Sequence, residues 1–421
     1  MTSKDSRSEC FVYITLPGET KSVTAGRFVL TTERRGTSIG RFVYGKSYLA
    51  RGDAVEIDPI DLKLGDTTYQ TARLNGMFSA LLDAAPDFWG RQLIERHSGK
   101  TGLSEVDYLL QSPDDRAGAL GFGINQKPPA PLRHFNKTIE LARLQQIAEK
   151  LVREQIEQPD HETIQAQELL MLGTSMGGAR PKTVVEDDRG LWLAKFARPD
   201  DRWNNPRVEH AMLELARSCG INSAISRIES VGGKDVLLVQ RFDREKNSRG
   251  YIRARMISSL TLLRAEVSPL MRERWSYVLM AEELRRVVAE PKRDAAELFR
   301  RMCFNALISN TDDHPRNHAL IAFDRQWRLS PVYDLTPSPA VSQDRRDLAL
   351  ECGDLGSFAN AQNLLSQCSR FLLDQNEAEV IISTMTEQVR ATWYSIVRAQ
   401  GVSERDAQTI KRAFVYEGFE R

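Results

Sequence analysis

The chain has 421 residues, of which 41% are hydrophobic and 27% charged, with a net charge of +1. That length exceeds one ordinary core and predicts a folded, soluble protein of two or three domains. The near-zero charge points neither to DNA nor to a membrane as a partner of the whole surface, although a local basic face is compatible with it. The polar stretch Met1–Cys10 has no apolar core and does not read as a signal peptide, and no run of about 18 apolar residues predicts a membrane span. The five cysteines, Cys10, Cys219, Cys303, Cys352 and Cys368, are scattered without a CxxC pair. This usage reads as a reducing cytoplasm, with neither a disulfide framework nor a structural zinc. His314 and His318 form the one close histidine pair and have no third ligand beside them in sequence, so a zinc-type site is not expected.

In chain order, residues 9–70 read as a small antiparallel sheet. Phe11–Leu16, Gly26–Thr31 and Arg41–Tyr44 are short β-branched and aromatic runs separated by Gly and Pro turns. Residues 75–112 turn helical, one helix opening at Asp87–Ile94 and another capped by Ser104 with Leu109 and Leu110 on its buried side. Gln126–Asn136, with three prolines, reads as a linker. Helices are expected from about Lys137 to Gln155, with Leu141, Leu144, Ile147 and Leu151 at helical spacing, and from about His161 to Leu172. The glycine-rich stretch Gly173–Lys182 follows, then strands at Thr183–Glu186 and Leu191–Phe196. Asn205 as N-cap and Pro206 at the first position open a helix with the apolar stripe Val208, Met212, Leu215, Ala216 and Cys219, ended by Gly220. Ile225–Ile228 and Asp235–Phe242 read as a hairpin turned at Gly232-Gly233, and helices dominate from Ile257 onward.

The chemistry centres on Asn310-Thr311-Asp312-Asp313-His314-Pro315-Arg316-Asn317. An Asp, four intervening residues and an Asn is the spacing of a protein-kinase catalytic loop, in which the Asp accepts the proton of the attacking hydroxyl and the Asn holds a magnesium ion. A second carboxylate is needed to grip the metal. Asp334 stands seventeen residues beyond Asn317, enough for a short hairpin to return it to the site. An Asp and an Asn five apart are common as turn formers, but the order of the other parts is that of a kinase. Gly177, Gly178 and Ala179 let backbone amides approach phosphate oxygens. Lys195 supplies positive charge to the same oxygens from an apolar strand. Glu209, near the start of the next helix, is a partner able to hold that lysine extended.

Four stretches together resemble the HipA family of bacterial serine/threonine kinases, the toxin halves of type II toxin–antitoxin pairs. They are Ser175–Lys182, Val239–Arg244, Asn310–Asn317 and Ser330–Leu335; Asp87–Arg91 and Asp115–Leu120 resemble motifs of that family's amino-terminal part. The resemblance implies an α+β, two-lobed protein-kinase-like fold with an added amino-terminal β-rich subdomain and a helical carboxy-terminal lobe. Its divisions fall at residues 1–125, 126–255 and 256–421. It implies ATP and Mg2+ as cofactors. Asp312 would be the catalytic residue and Asn317 and Asp334 the metal ligands. The nucleotide site would comprise Ser175, Met176, Gly177, Gly178, Ala179, Lys182, Lys195, Glu209, Gln240, Phe242, His314, Asn317 and Asp334, with Ser175 the autophosphorylated serine.

By the same resemblance the partners are a small helix-turn-helix antitoxin, HipB-like, operator DNA reached through that complex, and an aminoacyl-tRNA synthetase as protein substrate, with no membrane involvement. Gln240 stands where the family often has Glu, Arg180-Pro181 replaces the Gln-Glu of some family loops, and no eukaryotic-style activation segment follows Asp334. Two other functions remain compatible with the residues. One is a small-molecule phosphotransferase with the same Asp–Asn–Asp set, distinguished by a closed acceptor pocket. The other is a non-catalytic co-repressor that binds an antitoxin and DNA, distinguished by failure to bind Mg-ATP.

Overall fold

The computed structural model describes residues 6–33, 36–131, 135–152, 170–171, 178, 180–267, 269–339 and 342–420. The chain forms two compact units, each discontinuous in sequence. The first comprises Met1–Arg198, Arg241–Ile257 and Ile321–Gln326, and the second Pro199–Gln240, Ser258–Leu320 and Trp327–Arg421. Among the described residues no helix is long and apolar enough to cross a membrane.

The first unit opens with an antiparallel sheet. Its strands β1 (Ser6–Thr15), β2 (Ser22–Thr32), β3 (Ser38–Tyr44), β4 (Thr68–Thr71) and β5 (Leu120–Gly123) lie in the order β4-β3-β2-β1-β5. Alternation puts Val12, Ile14, Phe28 and Phe42 fully into the core. The three runs read from the sequence are β1, β2 and β3. Asp87 caps the helix Phe88–Ser98 by accepting from the Gly90 N–H at 2.8 Å. Ser104 opens Glu105–Gln111 with a full capping box through Asp107; there Leu109 is buried and Leu110 half-buried.

The expected helix from Lys137 starts later. Asn136–Lys137 pairs in parallel with β7 (Lys182–Asp187) as the short strand β6, and Glu140 accepts from the Lys137 N–H at 2.7 Å. One 3₁₀ turn follows before the helix Leu141–Val152 begins, burying Leu141, Leu144, Ile147 and Leu151. The helix expected at His161–Leu172 lies, but for Leu170 and Met171, outside the described residues. β7 pairs antiparallel with β8 (Gly190–Phe196), as read, and the register sets Lys182 opposite Lys195.

In the second unit the helix Asn205–Ser218 is capped one residue earlier than expected. The Asn204 side chain accepts from the Arg207 N–H at 3.1 Å, and Pro206 falls at the second helical position, where its missing N–H is still an orphan. Val208, Met212, Leu215 and Ala216 are fully buried, and Gly220 takes φ +75 beyond the end. The hairpin β9 (Ser226–Val231) and β10 (Lys234–Gln240) turns at Gly232-Gly233, whose φ values of +57 and +77 suit a two-residue turn that L residues enter poorly.

The expected strand through Phe242 ends at Gln240. The Arg241 N–H still donates to the Leu191 carbonyl of β8 at 2.9 Å, and its guanidinium enters a buried ionic cluster. It donates to Asp243 at 2.7 and 2.9 Å, to both Asp115 oxygens at 3.1 Å and to the Arg116 carbonyl at 3.0 Å. Arg244 adds bonds to Asp243 at 2.7 Å and to the Gly118 carbonyl at 2.9 Å, while the Gly118 N–H donates to Asp243 at 2.8 Å. Burial alone would raise the Asp243 carboxyl, but Arg241 and Arg244 hold it far below the ordinary range. This cluster sews the stretch after β10 onto the amino-terminal sheet region within the first unit. The remaining second-unit helices include Tyr277–Val287, Pro291–Leu307 and Gln375–Ala399, each of which buries an apolar face.

Candidate functional site

The loop Asn310–Asn317 leaves the helix Pro291–Leu307, whose apolar face (Leu298, Phe299, Met302, Ala306) is fully buried. Ser309 turns the chain in the left-handed region, at φ +52. The conformation is held by its hydroxyl, which donates to the Ala413 carbonyl at 2.6 Å and accepts from Arg346. The loop then alternates. Asp312 is exposed, Asp313 is 1% exposed, His314 is half-buried, and Asn317 is buried. Backbone bonds wind it tightly. The His314 N–H donates to the Asp312 carbonyl at 2.9 Å, and the Asn317 N–H to the His314 carbonyl at 2.8 Å, within a 3₁₀ turn at Pro315–Asn317. The Asn317 side-chain N–H also donates to the Asp312 carbonyl, at 3.3 Å. That bond fixes the amide so that its oxygen is the atom left to act as a hard ligand.

Asp334 is brought back by local pairing. A short strand at Ala319–Ala322 returns through Arg328–Leu329, and the Ser330 N–H donates to the Ala319 carbonyl at 2.9 Å. Arg301 holds the Ser330 carbonyl at 2.5 Å, and Val332 bonds across to Asn222 and Ala224. The Tyr333 hydroxyl donates to the Arg316 carbonyl at 2.7 Å, tying this stretch to the Asp312 loop. Asp334 itself sits at φ +61, a conformation that Asp tolerates better than most L residues.

Electrostatics links these carboxylates. Although Asp312 is exposed as a residue, partial desolvation of its carboxyl group raises it above the ordinary carboxylate range; His314 opposes that shift, and the negative charges of Asp334 and Asp313 add to it. Asp334 and Asn317 offer a carboxylate and an amide oxygen, the hard-oxygen donor types that suit a magnesium ion completed by phosphate and water. Asn317 and Asp334 would hold the ion, which would neutralise phosphate charge there.

The other residues named from the sequence lie as follows. Ser175, Met176, Gly177 and Ala179 are outside the described residues. Gly178 is exposed at φ +87, and its carbonyl accepts from Lys182 at 3.0 Å. Lys182 is buried and paired with Asp87 at 2.6 Å. Lys195 is half-buried on β8 and Glu209 is buried in the helix Asn205–Ser218. Gln240 ends β10 with its N–H donating to the Ile225 carbonyl at 2.8 Å, and Phe242 is half-buried. Sequence reasoning missed Asp87 as the partner of Lys182, and it missed Asp313, Tyr277, His318 and Asn305, which lie beneath the loop. No spacing in the chain marks them.

Models of known families match both parts of the chain: the HipA-like C-terminal domain over residues 174–393 and the HipA N-terminal domain over residues 21–123. The chain belongs to the HipA family. Two proteins of Sinorhizobium fredii (strain NBRC 101917 / NGR234) are similar in sequence. "Putative kinase Y4mE" is 26% identical over 154 residues, 34% of this chain, and "Putative kinase Y4dM" is 28% identical over 245 residues, 54% of it. The matched segments span 35% and 57% of those relatives. Among solved structures, a chain of the Shewanella oneidensis MR-1 toxin–antitoxin complex of HipA, HipB and operator DNA superposes with a TM-score of 0.67 at 16% identity, covering 95% of each chain. That likeness is one of fold, and it agrees with the α+β, kinase-like HipA architecture expected from the motifs.

Proposed function

We propose that this HipA-family protein is an ATP-dependent serine/threonine protein kinase, the cytoplasmic toxin of a toxin–antitoxin pair. The observation that carries the reading is the split between neighbouring aspartates. Asp312 faces solvent while Asp313 beside it is buried, and Asn317 is tied to the Asp312 carbonyl. An outward carboxylate on a loop held in this way is placed to take the proton of an incoming hydroxyl. In the reaction, a substrate hydroxyl oxygen forms a bond to the γ-phosphorus of ATP, the bond to the ADP oxygen breaks, and the hydroxyl proton passes to Asp312. Lys195 neutralises phosphate charge, and Asn317 and Asp334 hold Mg2+. Lys182 belongs to the same nucleotide region, at the end of the glycine-rich stretch.

Ser175 is the proposed autophosphorylation site. A phosphate there adds about two negative charges next to those of ATP, so modification switches the kinase off. Family membership and the likeness to a chain found with HipB and operator DNA support a small helix-turn-helix antitoxin, and DNA through it, as partners. The proposed protein substrate is an aminoacyl-tRNA synthetase. Intact-mass spectrometry before and after Mg-ATP, beside Asp312→Asn, tests the kinase reading. Gain of one phosphoryl group at Ser175 in the wild type alone supports it. An unmodified protein that neither gains phosphate nor binds Mg-ATP sinks it in favour of a binding co-repressor, and turnover on a sugar or aminoglycoside with no labelled protein favours a small-molecule phosphotransferase.

A further inference from the structure

Beneath the loop lies a set of polar side chains that the chemistry above does not use. Asn305, Asn310, Asp313, His318 and Tyr277 are each at most 1% exposed. Asp313 Oδ2 accepts from the Tyr277 hydroxyl and from His318 Nε2, the latter at 2.9 Å. The Tyr277 hydroxyl in turn accepts from Asn305 Nδ2 at 3.0 Å, and Asn305 Oδ1 accepts from Asn310 Nδ2 at 3.0 Å. The Asn310 N–H donates to the Asn305 carbonyl at 2.8 Å. The His318 ring meets the Tyr277 ring edge to face at 5.4 Å, and its carbonyl accepts from the Ser259 N–H at 2.8 Å.

These bonds close two rings through one carboxylate. The first runs Asn310, Asn305, Tyr277, Asp313 and back along the chain, and it encloses Thr311 and Asp312. The second runs from Asp313 to His318 across one hydrogen bond and encloses residues 314–317, Asn317 among them. Asp312 and Asn317 thus each sit in a short closed loop whose closure is a buried bond to Asp313. Tyr277 begins one helix and Asn305 lies near the end of another, so the anchor is rigid structure rather than a second loop. Of two adjacent aspartates, the backbone turns one outward and buries the other.

We infer that Asp313 is a positioning residue of this site: through Tyr277, Asn305 and His318 it fixes where Asp312 and Asn317 point. The inference rests on the kinase reading for its effect on rate, and on the buried bonds alone for its effect on the loop. A reacting group displaced by about 1 Å loses on the order of a hundredfold in rate, and that is the loss expected when the anchor is cut.

The test uses the full chain as wild type, Asp313→Leu, Asp313→Asn and Tyr277→Phe. Phosphoryl transfer is measured as kcat and as KM for Mg-ATP, and hydrogen exchange is followed at the amides of residues 310–318. Tyr277→Phe removes one hydroxyl and keeps the test intact if Asp313→Leu does not fold. The expected result for Tyr277→Phe and Asp313→Leu is a kcat lower by about a hundredfold with KM unchanged, and faster exchange confined to residues 310–318. Asp313→Asn, which keeps an acceptor oxygen, recovers most of both losses. Wild-type kcat and exchange in Tyr277→Phe overturn the inference, as does exchange that rises equally throughout the second unit. A wild type without phosphoryl transfer, but with exchange that responds selectively at this loop, removes the kinase reading and leaves the anchor standing; an inactive wild type with no selective response removes both.

Discussion

Lys182 and Lys195 are direct partners across β7 and β8, yet Lys182 is buried and Lys195 is half-exposed. Like charges at opposed positions destabilise a sheet, and Asp87 offsets one of them through a 2.6 Å bond in which both side chains are nearly inaccessible. Asp87→Asn keeps the helix cap at Phe88–Ser98, since Asn caps as well as Asp, and leaves Lys182 as a buried charge without that carboxylate. Breaking a buried pair from one side costs roughly 3–5 kcal/mol, which calorimetry will register as a lowered Tm. Adding Lys182→Met to the same chain removes the stranded charge and recovers much of the loss. A Tm equal to wild type in Asp87→Asn would show that the pair is not a structural tie.

The Arg241 cluster gives a sharper chemical test. Its guanidinium reaches two carboxylates and a carbonyl through all three nitrogens, a fork that an ammonium cannot reproduce. Arg241→Lys therefore destabilises the chain nearly as much as Arg241→Met, despite keeping the charge. Urea unfolding of the two variants beside wild type decides it: a Lys variant close to wild type would mean that charge, not geometry, holds the cluster.

Local signals made much of the fold legible, and long-range ones did not. Gly232-Gly233 between two apolar runs specified its hairpin, Ser104 with Asp107 specified a helix start, and the Asp312–Asn317 spacing marked the loop, because each depends on neighbours in sequence. Asn204 rather than Asn205 as cap is an error of one residue between two identical side chains. The end of β10 at Gln240 was not readable, since the cluster that fixes the Arg241 side chain beyond it includes Asp115, more than a hundred residues away. The Asp87–Lys182 pair has the same character, at a separation of 95 residues. Asp313 was in plain view beside Asp312, but a pair of adjacent acids carries no mark of which one turns inward.

Asp58 supplies a pH dependence with a definite sign. It is fully buried, accepts from the Ile60 and Asp61 N–H groups at 2.7 Å, and has one oxygen with no hydrogen-bond partner among the described residues. Burial pushes its carboxyl from 3.8 up to about 6. Below the unfolded value both states hold the proton and the group contributes nothing. As pH rises from there to about 6, the unfolded chain has lost a proton that the native chain keeps, so stability falls across this window and the full cost remains above it. Asp58→Asn mimics the protonated form. Its unfolding free energy should match wild type in acid and exceed it near neutrality, by a margin on the order of 3 kcal/mol. A constant difference at all pH values would exclude titration of Asp58 as the cause.

Asp312 and Asn317 are expected to separate by kinetic signature. In the proposed reaction Asp312 takes a proton as the new bond forms, so Asp312→Asn should lower kcat by about 10²–10⁴ while Mg-ATP binding persists. Asn317 contributes an oxygen to the ion, and its amide N–H is committed to the Asp312 carbonyl. Asn317→Ala should therefore raise the magnesium concentration needed for half-maximal rate and leave a measurable rate at saturating metal. Titrating magnesium against rate for both variants distinguishes the roles. If Asp312→Asn shifts the magnesium requirement and Asn317→Ala does not, the ion sits nearer Asp312, and the base must be sought among the other groups around the loop.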